Sequence, residues 1–115
     1  MTDVSIIHNP RCSKSRQTLA LLEENDCNIT VIEYLKNPLT VAEIQDILVK
    51  LDINARQMMR TKETEYKEQD LAKVEDEQAL ITAMANTPKL IERPIVLANN
   101  KAAIGRPPEN VLTIL

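Results

Sequence analysis

Short apolar runs alternate with longer helical patterns along this chain, and their order is the first thing the sequence offers. Val4, Ile6 and Ile7 predict a buried strand over 4–8. From Ser13 to Asn25, Leu19 and Leu22 share one face of a helix. Ile29, Val31, Ile32 and Tyr34 predict a second strand over 29–34, reached by a right-handed crossover, before Asn37-Pro38 breaks the chain.

The next helix has the fullest signature. Thr40 and Glu43 form a capping box, hydroxyl and carboxylate each satisfying an orphan N–H, and Ile44, Ile47, Leu48 and Leu51 follow on one face. Residues 54–60 predict a short helical turn ending near Arg60, with Met58 and Met59 packed in the core and Arg56 in solvent. The charged stretch 61–75 is expected to be mostly solvated, and the acidic run 63–77 to be a solvated face whose mobility could gate the site as a lid. Leu80, Ile81 and Met84 place a helix over 76–85. Pro94 opens a strand, Ile95 to Ala98, Asn99-Asn100 makes a hairpin turn, and Ala102 to Ile104 return. Gly105 supplies a permissive bend, and Pro107-Pro108 start a last helix carrying Val111, Leu112 and Leu115.

The order is β-α-β, a helical insertion at about 39–88, then β-β-α. With the insertion set aside, this is the plan of an α/β thioredoxin/glutaredoxin-like core, expected as a single domain over 1–115. In that plan a reactive cysteine opens the first helix and a proline opens the third strand. Cys12 and Pro94 stand in those places, and a cis Arg93–Pro94 bond is expected.

Composition narrows the class. An apolar fraction of 43% and a charged fraction of 27% suit an ordinary folded domain, and with no Trp or Phe the core must be aliphatic and methionine-built. The net charge of −3 argues against nucleic acid or an anionic membrane as partner. No run approaches the roughly 18 apolar residues of a membrane span, and no signal peptide is readable at the start. A cytoplasmic monomer with no bound cofactor is expected. The two cysteines fit a reducing compartment. A Cys12–Cys27 disulfide is disfavoured, because the intervening helix would hold the pair about 20 Å apart.

The chemistry centres on Cys12, in His8-Asn9-Pro10-Arg11-Cys12-Ser13-Lys14-Ser15-Arg16. A thiol at a helix N-terminus meets unpaired N–H groups and the positive end of the dipole, both of which favour a thiolate. Arg11, Lys14 and Arg16 push the same way, and no acid occurs between Asp3 and Glu23. Ser15 stands where a second cysteine would sit in a two-cysteine oxidoreductase, so a resolving thiol has to come from outside. Ser15 can donate to the thiolate or merely suit the first turn; His8 can tune the thiol or be structural. Cys27, among polar neighbours, reads as an incidental boundary thiol.

Other chemistries fit poorly. Phosphatase loops need Cys-x5-Arg, and Thr18 stands at that place. One His and two Cys offer too few zinc ligands, and one glycine cannot build a nucleotide loop.

His8-Asn9-Pro10-x-Cys12 with Ser15-Arg16, then Arg60, Arg93-Pro94-Ile95-Val96 and Arg106-Pro107, resembles the glutaredoxin-linked arsenate reductase family, colinearly over essentially the whole chain. The resemblance is to a short subgroup, since longer members continue with a charged C-terminal tail, and Arg11, Ser13 and Lys14 replace smaller or uncharged residues around the cysteine. It implies Cys12 as nucleophile, with Arg60, Arg93 and Arg106 as anion-binding and catalytic arginines, supported by His8, Ser15 and Pro94. It also implies arsenate or a similar oxyanion as substrate, glutathione as co-substrate and glutaredoxin as electron donor. Two other functions remain open on the residues. One is a glutathione-linked oxidoreductase with a non-arsenate substrate. The other is a redox-responsive regulator of RNA polymerase, although such regulators carry Cys-x-x-Cys where this chain has Cys12-x-x-Ser15.

Overall fold

A computed structural model describes residues 2–115. The backbone divides into two compact units, one holding the chain up to Asn37 together with Arg93–Leu115, the other Pro38–Glu92. The stretch expected as an insertion, 39–88, falls within the second unit.

The first unit is built on a four-stranded sheet of β1 (Thr2–Ile7), β2 (Cys27–Ile32), β3 (Ile95–Ala98) and β4 (Lys101–Ile104), in the spatial order β2-β1-β3-β4. β1 and β2 run parallel with Val4 opposite Ile29, joined through helix α1 (Ser13–Glu24). β3 is antiparallel to both β1 and β4. Val4, Ile6, Val96 and Ala98 form one core with Leu22 of α1 and Val111 and Ile114 of the last segment. Burying these aliphatic side chains stabilises the unit by roughly 1.5–3 kcal/mol for each large one. This mixed sheet is the thioredoxin-like α/β arrangement that the order of elements predicts.

Several boundaries move, each for a physical reason. β2 runs from Cys27 to Ile32 instead of 29–34, because its register follows β1 residue for residue from Thr2 to Ile7. Tyr34 lies beyond the strand yet is fully buried. The hairpin is as expected: Asn99 and Asn100 both take positive φ, 52° and 62°, which a two-residue turn between right-twisted strands requires.

The last segment, Pro108–Ile114, is a 3₁₀ helix, not an α-helix. Side chains three apart stack in that geometry, so Pro108, Val111 and Ile114 are buried while Leu112 stays 40% exposed. Gly105 serves by lacking a side chain, since its φ is not positive. A Cβ there would lie 2.6 Å from Thr18 Oγ1 and 2.8 Å from Pro94 Cγ.

In the second unit, α2 (Val41–Leu51) opens on the predicted capping box: Thr40 N–H donates to Glu43 Oε1 at 2.9 Å and Glu43 N–H to Thr40 Oγ1 at 3.1 Å. Its buried Ile44, Ile47 and Leu48 and those of α4 (Glu77–Asn86), Leu80, Ile81 and Met84, supply much of this unit's core. Met58 and Met59 are buried as expected.

The charged stretch 61–75 is more ordered than its composition suggests. It forms a short helix, α3 (Thr64–Glu68), and a 3₁₀ turn (Leu71–Lys73), burying Tyr66 and Leu71. Arg56 holds it in place instead of facing solvent. Its guanidinium donates to Tyr66 Oη, to the Leu71 carbonyl at 3.1 Å and to the Val74 carbonyl. Among the described residues no helix is long and apolar enough to cross a membrane.

Candidate active site

Cys12 is the N-cap residue of α1, in extended backbone conformation, and no conventional side-chain cap bond closes that turn. The sulfur therefore takes the place where a Ser or Asp oxygen would accept from the first free N–H groups. Burial pushes the thiol's pKa up. The Ser15 N–H, the Arg93 guanidinium, the Lys14 N–H and the positive charge of Arg93 together outweigh it, and the net shift is downward. Arg106 adds a second guanidinium, with an Nη2···Sγ distance of 3.5 Å.

The two arginines are held to one another as well as to the sulfur. Arg106 Nε donates to the Arg93 carbonyl at 2.7 Å, and Gly105 N–H donates to the Pro94 carbonyl at 2.8 Å. Both Arg93–Pro94, as expected, and Arg106–Pro107 are cis. Residues 81 and 94 positions away in sequence thus reach Cys12 through the β3–β4 hairpin and its flanking prolines.

The loop before Cys12 is fixed by a buried network. Cys12 N–H donates to the Asn9 carbonyl at 3.0 Å, Arg11 N–H to Asn9 Oδ1 at 3.0 Å, and Asn9 N–H to Ser15 Oγ at 3.0 Å. His8 Nδ1 lies 2.6 Å from the same Ser15 oxygen. Ser15 contributes its N–H to the sulfur, while its hydroxyl is engaged by His8 and Asn9. Burial lowers the His8 pKa, Glu33 partly opposes this and Arg16 reinforces it, so the net shift is downward and favours the neutral ring. When Nδ1 carries the proton it donates to Ser15; when Nε2 carries it, Nδ1 accepts from the hydroxyl. Arg16 is a clamp on this loop, its Nη1 donating to the Pro10 carbonyl at 2.8 Å.

Arg60 belongs to the second unit. Its Nε donates to Glu63 Oε1 at 3.0 Å and its Nη1 to Glu92 Oε1 at 3.1 Å, and its N–H to the Leu90 carbonyl at 2.7 Å. Burial lowers the Arg60 pKa, but the two carboxylates more than offset it.

Cys27 contrasts with Cys12. Burial, with Asp26 beside it, pushes this thiol up. Both cysteines are free.

The sequence assigns no role to Asn9 beyond its place in the His8-Asn9-Pro10-x-Cys12 motif, nor to Thr18, which enters only as the residue standing where a phosphatase loop needs arginine. Thr18 is fully buried, donates to the Lys14 carbonyl at 2.8 Å and packs where Gly105 leaves room.

Residues 7–114 match the ArsC family. The arsenate reductase of Neisseria meningitidis serogroup A is 50% identical, over the whole of both chains. The uncharacterized protein YfgD of Escherichia coli K12 is 56% identical, over 97% of this chain and 96% of that one. The solved structure of the arsenate reductase from Vibrio cholerae superposes with a TM-score of 0.96 at 51% identity, covering 99% of this chain and 98% of that one. With a family match over nearly its whole length and relatives at half identity or better, the chain belongs to the ArsC family.

Proposed function

We propose that this protein is an arsenate reductase in which Cys12 is the nucleophile and glutathione, with glutaredoxin, supplies the electrons. The observation that carries the reading is the convergence of a helix N-terminus and two guanidinium groups, Arg93 and Arg106, on one sulfur. The names of relatives at about 50% identity support arsenate as the substrate.

The Cys12 thiolate attacks arsenic(V) and displaces hydroxide, which leaves as water after protonation, giving a Cys12–S–As(V) adduct. Arg93 and Arg106 offer planar, permanently charged donors to the arsenate oxygens, as a tetrahedral oxyanion requires. The glutathione thiol then adds to arsenic with loss of a second water. A sulfur–sulfur bond forms as the two sulfur–arsenic bonds break. Each sulfur gives up one electron, arsenic takes both, and the products are arsenite and a Cys12–glutathione disulfide. A glutaredoxin thiolate attacks the glutathione sulfur and releases Cys12 as thiolate. In this scheme no metal or bound cofactor takes part, and the protein works as a monomer in the cytoplasm.

The test is arsenate-dependent NADPH oxidation, coupled through glutathione, glutaredoxin and glutathione reductase. Turnover that vanishes in Cys12→Ser is expected; turnover surviving that change would overturn the mechanism.

One observation favours a second reading, a glutathione-linked oxidoreductase with another substrate. Arg60, a catalytic arginine by resemblance, has its charge matched by Glu63 and Glu92. Removal of glutathione from a glutathionylated thiol, without arsenate turnover, would select that reading.

A further inference from the structure

The loop that carries Cys12 also forms one wall of a cavity of about 280 Å³, whose opposite wall is the segment just after β2. Its lining includes Pro10 and Arg11 from the first wall and Glu33, Leu35 and Lys36 from the second. Small-ligand clefts begin at roughly 300 Å³, so this cavity accepts one end of a short peptide and not the whole of it.

Its chemistry is specific. Arg11 and Lys36 are exposed cations, and with Glu33 they carry one net positive charge. Lys36 Nζ stands 3.7 Å from Glu33 Oε1, with the two side chains 75% and 38% exposed. Such a solvated pair contributes little and yields readily to a better-placed anion. Leu35 is 42% exposed at the same place, an apolar surface awaiting contact. Arg11 adjoins Cys12 directly, so its Cα lies about 3.8 Å from that of the nucleophile.

The geometry points to this cavity as the seat of the thiol co-substrate: it holds the terminal carboxylate of glutathione between Arg11 and Lys36. The identity of that co-substrate rests on the function proposed above. Glutathione carries two carboxylates and one ammonium, one net negative charge against the cavity's net positive one. Its glycyl and cysteinyl residues are neighbours in the chain, and two residues span at most about 7 Å. With the glycyl end in the cavity, the cysteinyl sulfur is within reach of Cys12.

The test uses thiol–disulfide exchange, which needs no arsenate. The Cys12 thiolate attacks glutathione disulfide, one glutathione remains bonded to Cys12 and the other leaves as thiolate. The rate, followed by mass spectrometry, is divided by the rate with uncharged bis(2-hydroxyethyl) disulfide, which cancels any general change in thiol reactivity. In Arg11→Glu/Lys36→Glu this ratio is expected to fall roughly tenfold, as two solvent-facing charge contacts of a few-fold each would give. In the unaltered protein the ratio should also fall as ionic strength rises from about 0.01 M to about 1 M. A ratio unmoved by the charge reversals or by salt would overturn the assignment. Arsenate turnover measured separately tells the two proposals apart: its absence beside an intact glutathione preference removes the substrate and leaves the cavity's role standing.

Discussion

Replacing Arg93 with alanine separates two jobs that one guanidinium performs. In the resting protein Arg93 both donates to Cys12 and lends it a positive charge, and both effects lower the thiol's pKa. A hydrogen bond to a charged group nets about 1.5–3 kcal/mol. Cys12 is only partly buried, and solvent screening reduces this to about 1 kcal/mol. That energy corresponds to roughly a fivefold loss of thiolate at pH well below the thiol's pKa. Across a pH series, alkylation by iodoacetamide should slow by that factor in Arg93→Ala at the acid end, with the two proteins converging at high pH where both thiols are ionised.

Arsenate turnover should respond more. The same guanidinium would bind oxygens whose charge changes in the transition state, and removing one such donor costs about 10²–10³ in rate. The expected outcome is therefore a split: about fivefold in alkylation, a hundredfold or more in kcat/KM for arsenate. Equal losses in the two assays would refute the oxyanion role. An unchanged alkylation profile would refute the electrostatic one.

Three further outcomes can be checked on stability. Because the folded-state pKa of Cys12 is depressed, its ionisation stabilises the fold fully above the unfolded thiol's pKa, and that contribution is lost as pH falls through the folded value; the urea midpoint of the native protein minus that of Cys12→Ser should thus rise with pH across that window. Gly105→Ala places a Cβ 2.6 Å from Thr18 Oγ1 and 2.8 Å from Pro94 Cγ, an overpacking expected to cost about 1–3 kcal/mol in urea denaturation; an unshifted midpoint would show that the contact relaxes freely. Arg56→Ala removes the donors that tie Tyr66, Leu71 and Val74 together, so limited proteolysis should cut within 61–75 first and faster than in the native protein, and an unchanged cleavage pattern would show that buried Tyr66 and Leu71 hold the segment alone.

Local signals in the chain were enough for much of this structure. The capping box at Thr40 and Glu43, the paired asparagines of the hairpin and the amphipathic face of α2 each depend on residues a few positions apart, and each formed as written. Cys12 was legible for the same reason. A strand followed within a few residues by a helix leaves the residue just before that helix at free N–H groups, and Cys12 is that residue.

Other features needed partners the local pattern does not contain. The bounds of β2 were set by its register with β1, and the exposure of Leu112 by a 3₁₀ geometry that buries every third residue. Arg56 looked solvated because the carbonyls it binds lie 15 and 18 residues further on. Gly105 reads as a permissive bend, yet its constraint comes from Thr18 and Pro94, far from it in sequence.

The sequence by itself determined the order of elements and the place of the nucleophile, because those follow from periodicity, caps and breakers within one turn or one strand. Only the tertiary structure decided what surrounds the sulfur. Antiparallel pairing carries Arg93 and Arg106 to Cys12, and a buried network commits the Ser15 hydroxyl to His8 and Asn9. Charge and hydrogen bonding act over a few ångströms of space, and the distance between residues in sequence does not specify that separation.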